Sequence, residues 1–149
     1  MSHVVVRENS AVLQVLLDAG ADVNTALHIA IERDHCSMVR LLVLDRTAVI
    51  DLPNKDGARL LMTAVKHGHW GAAQILLSKG ADTECIDACG RTTLSIAAYH
   101  GHPDIVRLLL SHGAKVKHSD KRAHSALVTA ALGGEITVVV FLSKQEQTW

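Results

Sequence analysis

The chain has 149 residues, 48% hydrophobic but only 3% aromatic, so its apolar content is mostly Leu, Val, Ile and Ala, side chains that pack helices closely. Lys plus Arg and Asp plus Glu number 15 each, which leaves no net field to draw in nucleic acid or an anionic membrane. Cys36, Cys85 and Cys89 are an odd number without framework spacing, which argues against a secreted disulfide scaffold and for the cytoplasm or nucleus.

Along the chain, "MSHVVVRENS" has too short an apolar run for a signal peptide. An apolar run then closes at Gly20, in "LLDAGADVN". "TALHIAIERDHCSMVRLLVLDRTA" follows from 25 without a pause, and the expectation is a tight turn over 21–24 with a helix over 25–33 capped by Thr25. "RLLMTAVKHGHWGAAQILLSKGAD" from 59, "TTLSIAAYHGHPDIVRLLLSHGAK" from 92 and "SALVTAALGGEITVVVFLSKQE" from 125 superimpose at a step of 33, with Gly68, Gly101 and Gly134 in register. Leu27 precedes Leu61 by 34, so the connection after the second helix of that unit carries one extra residue.

Each unit reads as a short apolar helix, a Gly-containing break, and a longer helix with a stripe such as Ile105, Val106, Leu108 and Leu109. Pro103 and Asp104 suit the first turn of such a helix. Gly20, Gly80 and Gly113 end the second helices in the left-handed conformation. The window 125–142 is apolar but broken by Gly133, Gly134 and Glu135, so no direct membrane insertion is expected. The last helix keeps its apolar stripe and has Glu146 where a closing Gly belongs, which reads as a piece of a longer array or as end-to-end self-association.

These residues resemble the ankyrin repeat. "GRTTLSIAAYHGHPDIVRLLLSHGA" (90–114) is similar to the family pattern throughout, and "TALHIA" and "AGADVN" match its two most recognisable pieces. The resemblance implies an all-α solenoid of stacked helix–turn–helix units with short β-hairpin fingers. It divides a single domain into a partial unit over 1–24 and units at about 25–53, 54–86, 87–119 and 120–149.

The family's Thr-Pro-Leu-His corner survives partly as Thr25/His28, weakly as Thr92/Ser95 and Ser125/Val128, and not at Arg59/Met62, so the third unit should begin less firmly. The family's finger turn is matched by "NKDG" (54–57), "DACG" (87–90) and "DKRA" (120–123), and is missing between Asn24 and Thr25.

His-Gly-His at 67–69 and 100–102 recurs at the repeat period without carboxylates or thiolates to complete a tetrahedral set, so it is expected to cap and brace the turn. Cys85 and Cys89 are expected to be ordinary thiols, and no metal or cofactor is anticipated. No nucleophile elbow, phosphate loop, zinc-protease helix or carboxylate pair is found, and Ser95 and Ser125 read as repeat-start residues, so no enzyme is expected.

The resemblance implies a non-enzymatic protein–protein interaction module, a scaffold or adaptor. The alternative is a regulatory segment of a larger enzyme or channel. Partners of such arrays are held by finger tips and by the exposed side of each first helix. Carried over by register, these are Glu32 and Arg33; Lys55, Asp56, Ala58, Lys66 and His67; Ala88, Cys89, Arg91, Tyr99 and His100; and Lys121, Arg122, His124 and Leu132. The line leans basic from Lys55 to Arg122, which fits an acidic protein or peptide. The context of Asn24 resembles that of asparaginyl hydroxylation in ankyrin repeats and makes it a modification candidate.

Overall fold

The computed structural model describes residues 22–44, 59–117 and 125–147, together with positions 11, 15 and 18–20. Eight helices are placed among these residues: α1 (Val23–Glu32), α2 (Cys36–Val43), α3 (Leu60–His67), α4 (Trp70–Ser78), α5 (Thr93–Tyr99), α6 (Pro103–Ser111), α7 (Ala126–Leu132) and α8 (Ile136–Gln147). They form four antiparallel pairs. First helices stack as α1, α3, α5, α7, and second helices as α2, α4, α6, α8. The 33-residue period is thus a translation, in which each unit covers the face left open by the one before.

The core runs between the two rows. Leu27, Leu61 and Leu94 hold one register position and are buried, as do Val39, Ala73 and Val106 on the second helices. Each such Leu contributes about 1.5–3 kcal/mol by leaving water. α3 is buried from Leu60 to Val65 and α5 from Thr93 to Ala98, because each is sandwiched between two other first helices. No aromatic residue lies in either buried stretch, which holds Ala, Thr, Ser, Met and branched aliphatics, side chains that let the rows pack closely.

The helix breaks turn on left-handed residues. Gly68, Gly101 and Gly134 have φ of 74°, 71° and 74°, and Asp34 takes the equivalent place in the second unit at 56°. Asp tolerates that conformation better than most residues with a Cβ. Pro103 and Asp104 sit in the first turn of α6, and Arg107 lies 5.1 Å over the Phe141 ring, tying α6 to α8. α8 lacks a closing Gly and runs for 12 residues, against 8 in α2 and 9 in α4 and α6.

The caps divide as the sequence implied, with one correction. Thr92 accepts from the Ser95 N–H and Ser125 from the Val128 N–H, whereas Arg59 offers α3 no side-chain cap. Thr25 is not the cap of α1. Asp22 is, accepting from both the N–H and the hydroxyl of Thr25 at 3.2 Å each. α1 therefore starts at Val23, and 23–24 are helical rather than part of a tight turn. With no finger between them, Asn24 and Thr25 are consecutive residues of one helix, and the better capping side chain lies two residues before Asn24.

One finger is described. Its strands meet at the antiparallel bridge between Ile86 and Thr92, and Gly90 has φ 77° at the turn. The fingers at 54–57 and 120–123 lie outside the described residues.

Candidate partner-binding groove

The finger 86–92, α3, α5 and Glu32 at the end of α1 line an open groove of about 570 Å³. Glu32, Lys66, His67, Ala88, Cys89, Arg91, Tyr99 and His100, all named from the sequence, line it together. Arg33 is exposed but lies outside the groove, and Leu132 is exposed at the far end of the stack. Lys55, Asp56, Ala58, Lys121, Arg122 and His124 fall outside the described residues. Asn24 sits half-buried in the first turn of α1, so it does not occupy the turn expected for it.

Sequence reasoning missed the floor, which is Met62, Thr63 and Ile96, and the wall residue Asp87. The signal for the floor was present. Thr63 lies four residues before His67, and Ile96 three before Tyr99, so helical spacing puts them on one face.

Asp87 organises the finger. Its Oδ1 accepts from the N–H groups of Cys89 and Arg91 at 2.9 Å each. Its Oδ2 accepts from the Arg91 guanidinium, with Nε at 2.8 Å and Nη2 at 2.8 Å. Arg91 is thereby a braced wall rather than a free cation. Among the described lining residues, two cations, Lys66 and Arg91, are matched by two carboxylates, Glu32 and Asp87. Within the stretch from Lys55 to Arg122, the described charged lining residues are Lys66 and Arg91 against Asp87, and the other charged residues of that line, Lys55, Asp56, Lys121 and Arg122, lie outside the described residues. Lys66 remains the cation without a carboxylate in ion-pair range among the described residues.

Tyr99 is the large exposed aromatic of the groove, 43% accessible, and His100 meets it edge-on at 5.2 Å. Burial lowers the His100 pKa below its usual value, and the neighbouring His102, Lys66, Arg91 and His67 lower it further. The lowered pKa favours the neutral ring, which presents an uncharged aromatic edge.

The His-Gly-His pairs brace the stack but do not cap it. His67 stacks on His69 at 5.7 Å and His100 on His102 at 6.3 Å. His69 Nε2 donates to the Glu32 carbonyl at 3.3 Å, and His102 Nε2 to the Lys66 carbonyl at 3.4 Å, each reaching the preceding unit. Neither makes a side-chain cap bond to its own helix. No group of three or more His, Cys, Asp or Glu suited to a metal occurs among the described residues. Cys85 is buried, Cys89 exposed at the groove, and Cys36 intermediate, and no disulfide joins them.

Comparison with known proteins fits this geometry. The family model for ankyrin repeats (3 copies) matches residues 2–87 and 61–148. An ankyrin repeat and KH domain-containing protein of Caenorhabditis briggsae is 42% identical over 82 residues, covering 49% of this chain and 3% of the relative. The nuclear factor NF-kappa-B p105 subunit of Gallus gallus is 36% identical over 89 residues, 54% of this chain and 9% of the relative. A probable E3 ubiquitin-protein ligase, XBOS33, of Oryza sativa subsp. japonica is 38% identical over 72 residues, 48% of this chain and 14% of the relative. The chain thus matches only a small part of each relative's length. The stacked helix pairs, the finger and the family match together place this chain in the ankyrin repeat family, whose repeats are protein–protein interaction modules without catalytic activity of their own.

Proposed function

We propose that this chain is a non-enzymatic scaffold or adaptor that holds a partner segment in the groove between the 86–92 finger, α3 and α5. The observation that carries this reading is the gathering of Tyr99, Lys66, His67 and His100 from two units on one concave surface. Tyr is among the residue types that most often carry interface energy, and the apolar floor of Met62 and Ile96 offers it desolvated surroundings. The favoured partner is a protein or peptide that lays an apolar side chain against Tyr99 and brings a carboxylate to Lys66. Glu32 and Arg91 line the same groove, and by sequence register alone the proposed surface includes Arg33, Lys55, Asp56, Lys121, Arg122 and His124. Cys36, Cys85 and Cys89, an odd number with no disulfide among them, favour a reducing compartment, the cytoplasm or nucleus.

Replacing Tyr99 by Ala tests this with a partner isolated on the intact chain. Affinity should fall by about 2 kcal/mol or more at unchanged helix content, while Lys144→Ala on α8 leaves it within about 0.5 kcal/mol. Equal losses from both would move the binding surface elsewhere. A second reading, a regulatory segment of a larger enzyme, is favoured by one observation: the matched relatives are far longer, and one is named a probable ubiquitin ligase. The same groove then receives a domain of its own protein.

A further inference from the structure

Four imidazoles form one row along the rim of the groove. His67 and His100 are exposed, hold one register position in successive units and line the groove itself. Each lies nearly parallel to the second ring of its own His-Gly-His, His69 at 5.7 Å and 14° and His102 at 6.3 Å and 15°. His102 also lies over Gly68, where a Cβ would meet its Cε1 at 2.6 Å, so its ring sits at the turn between His67 and His69 and joins the two pairs. The second rings are tied to the Glu32 and Lys66 carbonyls. His67 gives its Nδ1–H to the Thr63 carbonyl at 2.9 Å, which leaves Nε2 to accept a proton.

The charges facing this row are uneven. Lys66 and His67 from α3, Arg91 from the finger and His102 from the same turn all oppose a proton on His100, as burial does. Among the described residues the facing carboxylates are Asp87, Glu32 and Glu135. Asp87 is occupied by Arg91 and two backbone N–H groups. Glu32 stands in α1, at the end of the groove away from His100, and the Glu135 carboxylate covers Gly101. Neither forms an ion pair with Lys66, His67 or His100. α7, the next helix in the row, carries no charge, and Lys121, Arg122 and His124 lie outside the described residues.

We propose that the groove is proton-gated: protonation of His100 and His67 beside Lys66 makes its rim a receptor for a carboxylate-bearing peptide, which binds more tightly as pH falls from 7.5 to 5.5. Such gating rests on the groove being the binding surface, as proposed above. A carboxylate seated among Lys66, His67 and His100 supplies the opposite charge that this part of the free groove lacks. It therefore holds the proton on the rings, and each complex formed takes up protons. The sign follows from His100, whose pKa is depressed in the free chain and lifted in the complex. The gain in affinity is complete below the free value and is lost as pH rises through the bound one. Glutamate side chains, with an ordinary pKa of about 4.3, stay ionised across this range.

The probe is hexaglutamate, with hexaglutamine as its uncharged counterpart, titrated into the full chain and followed by NMR at pH 5.5, 6.5 and 7.5. Hexaglutamate should shift the amides of 62–67 and 86–100 and bind roughly three- to tenfold more tightly at pH 5.5 than at 7.5, with no such rise for hexaglutamine. Calorimetry at pH 6.5 in two buffers of different ionisation enthalpy should show net proton uptake. His67→Gln with His100→Gln should flatten the pH dependence, and His112→Gln, at the exposed C-cap of α6, should preserve it. His100→Gln alone, which keeps the His67–Thr63 bond, should reduce it and serves if the double variant fails to fold. Groove binding that ignores pH, or a dependence that survives both His100 variants, overturns the proposal and leaves the groove reading standing. Shifts confined to residues outside 62–67 and 86–100 overturn both. Absence of binding at pH 5.5 overturns the gating, and Tyr99→Ala with an isolated partner then judges the groove by itself.

Discussion

Gly133 and Gly134 are neighbours in sequence and in space, yet replacing each by Ala should destabilise the protein for different reasons and by different amounts. Gly134 has φ 74° and open space around it, so the Ala costs only the left-handed backbone conformation, about 1–2 kcal/mol. Gly133 has φ −77° and ψ −7°, which any residue adopts without strain. Its cost is contact: a Cβ there overlaps the carbonyl oxygen of Tyr99, with the carbonyl carbon 3.2 Å away. That carbonyl belongs to α5 and cannot rotate aside as a side chain would, so α7 must move away from α5. Overpacking of this kind costs typically about 1–3 kcal/mol and more where backbone is the obstacle, so about 3 kcal/mol or above is expected. At roughly 2–4 °C per kcal/mol for a chain of this size, Gly133→Ala should lower Tm by about 6–12 °C and Gly134→Ala by about 2–8 °C. Denaturant titrations of both variants, with the Tyr99 resonances followed by NMR, make the comparison. The reasoning is refuted if Gly133→Ala costs no more than Gly134→Ala, or if it leaves the Tyr99 signals unmoved.

Two further outcomes follow from buried groups. His28 has its Nδ1 buried without a hydrogen-bond partner among the described residues, and burial holds its pKa below the usual value although Glu32 opposes this. A depressed folded-state pKa means the unfolded chain binds the proton more tightly. Stability from this site is therefore full above about pH 6.5 and is lost as pH falls from there through the folded value. His28→Met, which copies Met62 at the same register, should flatten that loss in denaturant titrations between pH 7.5 and 5; an unchanged slope counts against it. Thiol labelling of the native protein should modify Cys89 first, Cys36 more slowly because burial and the Asp34 carboxylate raise its pKa, and buried Cys85 last. Bound partner should protect Cys89, and Cys85 reacting first would contradict its burial at the foot of the finger.

The architecture was legible because the 33-residue step repeats helix stripes and turn glycines that depend only on local chemistry. The capping of Thr92 and Ser125 and the bare start at Arg59 follow from residue type at a fixed offset. The cap of α1 was not legible, since deleting a finger lets the preceding Asp22 act on a helix that the pattern starts at Thr25. The ion pair of Arg91 was not legible either: Asp87 was assigned to the finger turn, and one of its oxygens does serve the turn while the other holds Arg91. The recurrence of His69 and His102 was visible, but their donation to carbonyls 37 and 36 residues earlier depends on the offset between units. The close approach at Gly133 is likewise a property of the α5 and α7 pairing. In units three and four the equivalent positions are His67 and His100.

Hydrogen exchange on the partner complex tests the binding account most directly, because it maps contact without altering a residue. Binding should slow exchange in segments 62–67 and 86–100, which carry the groove, and leave α4 and α6 as they are in the free chain. The opposite surface supplies the contrast, a shallower recess of about 360 Å³ lined by Arg40, Gln74, Ser78 and Lys79. Protection confined to that surface, with 86–100 exchanging as fast as in the free protein, would contradict the assignment of the groove.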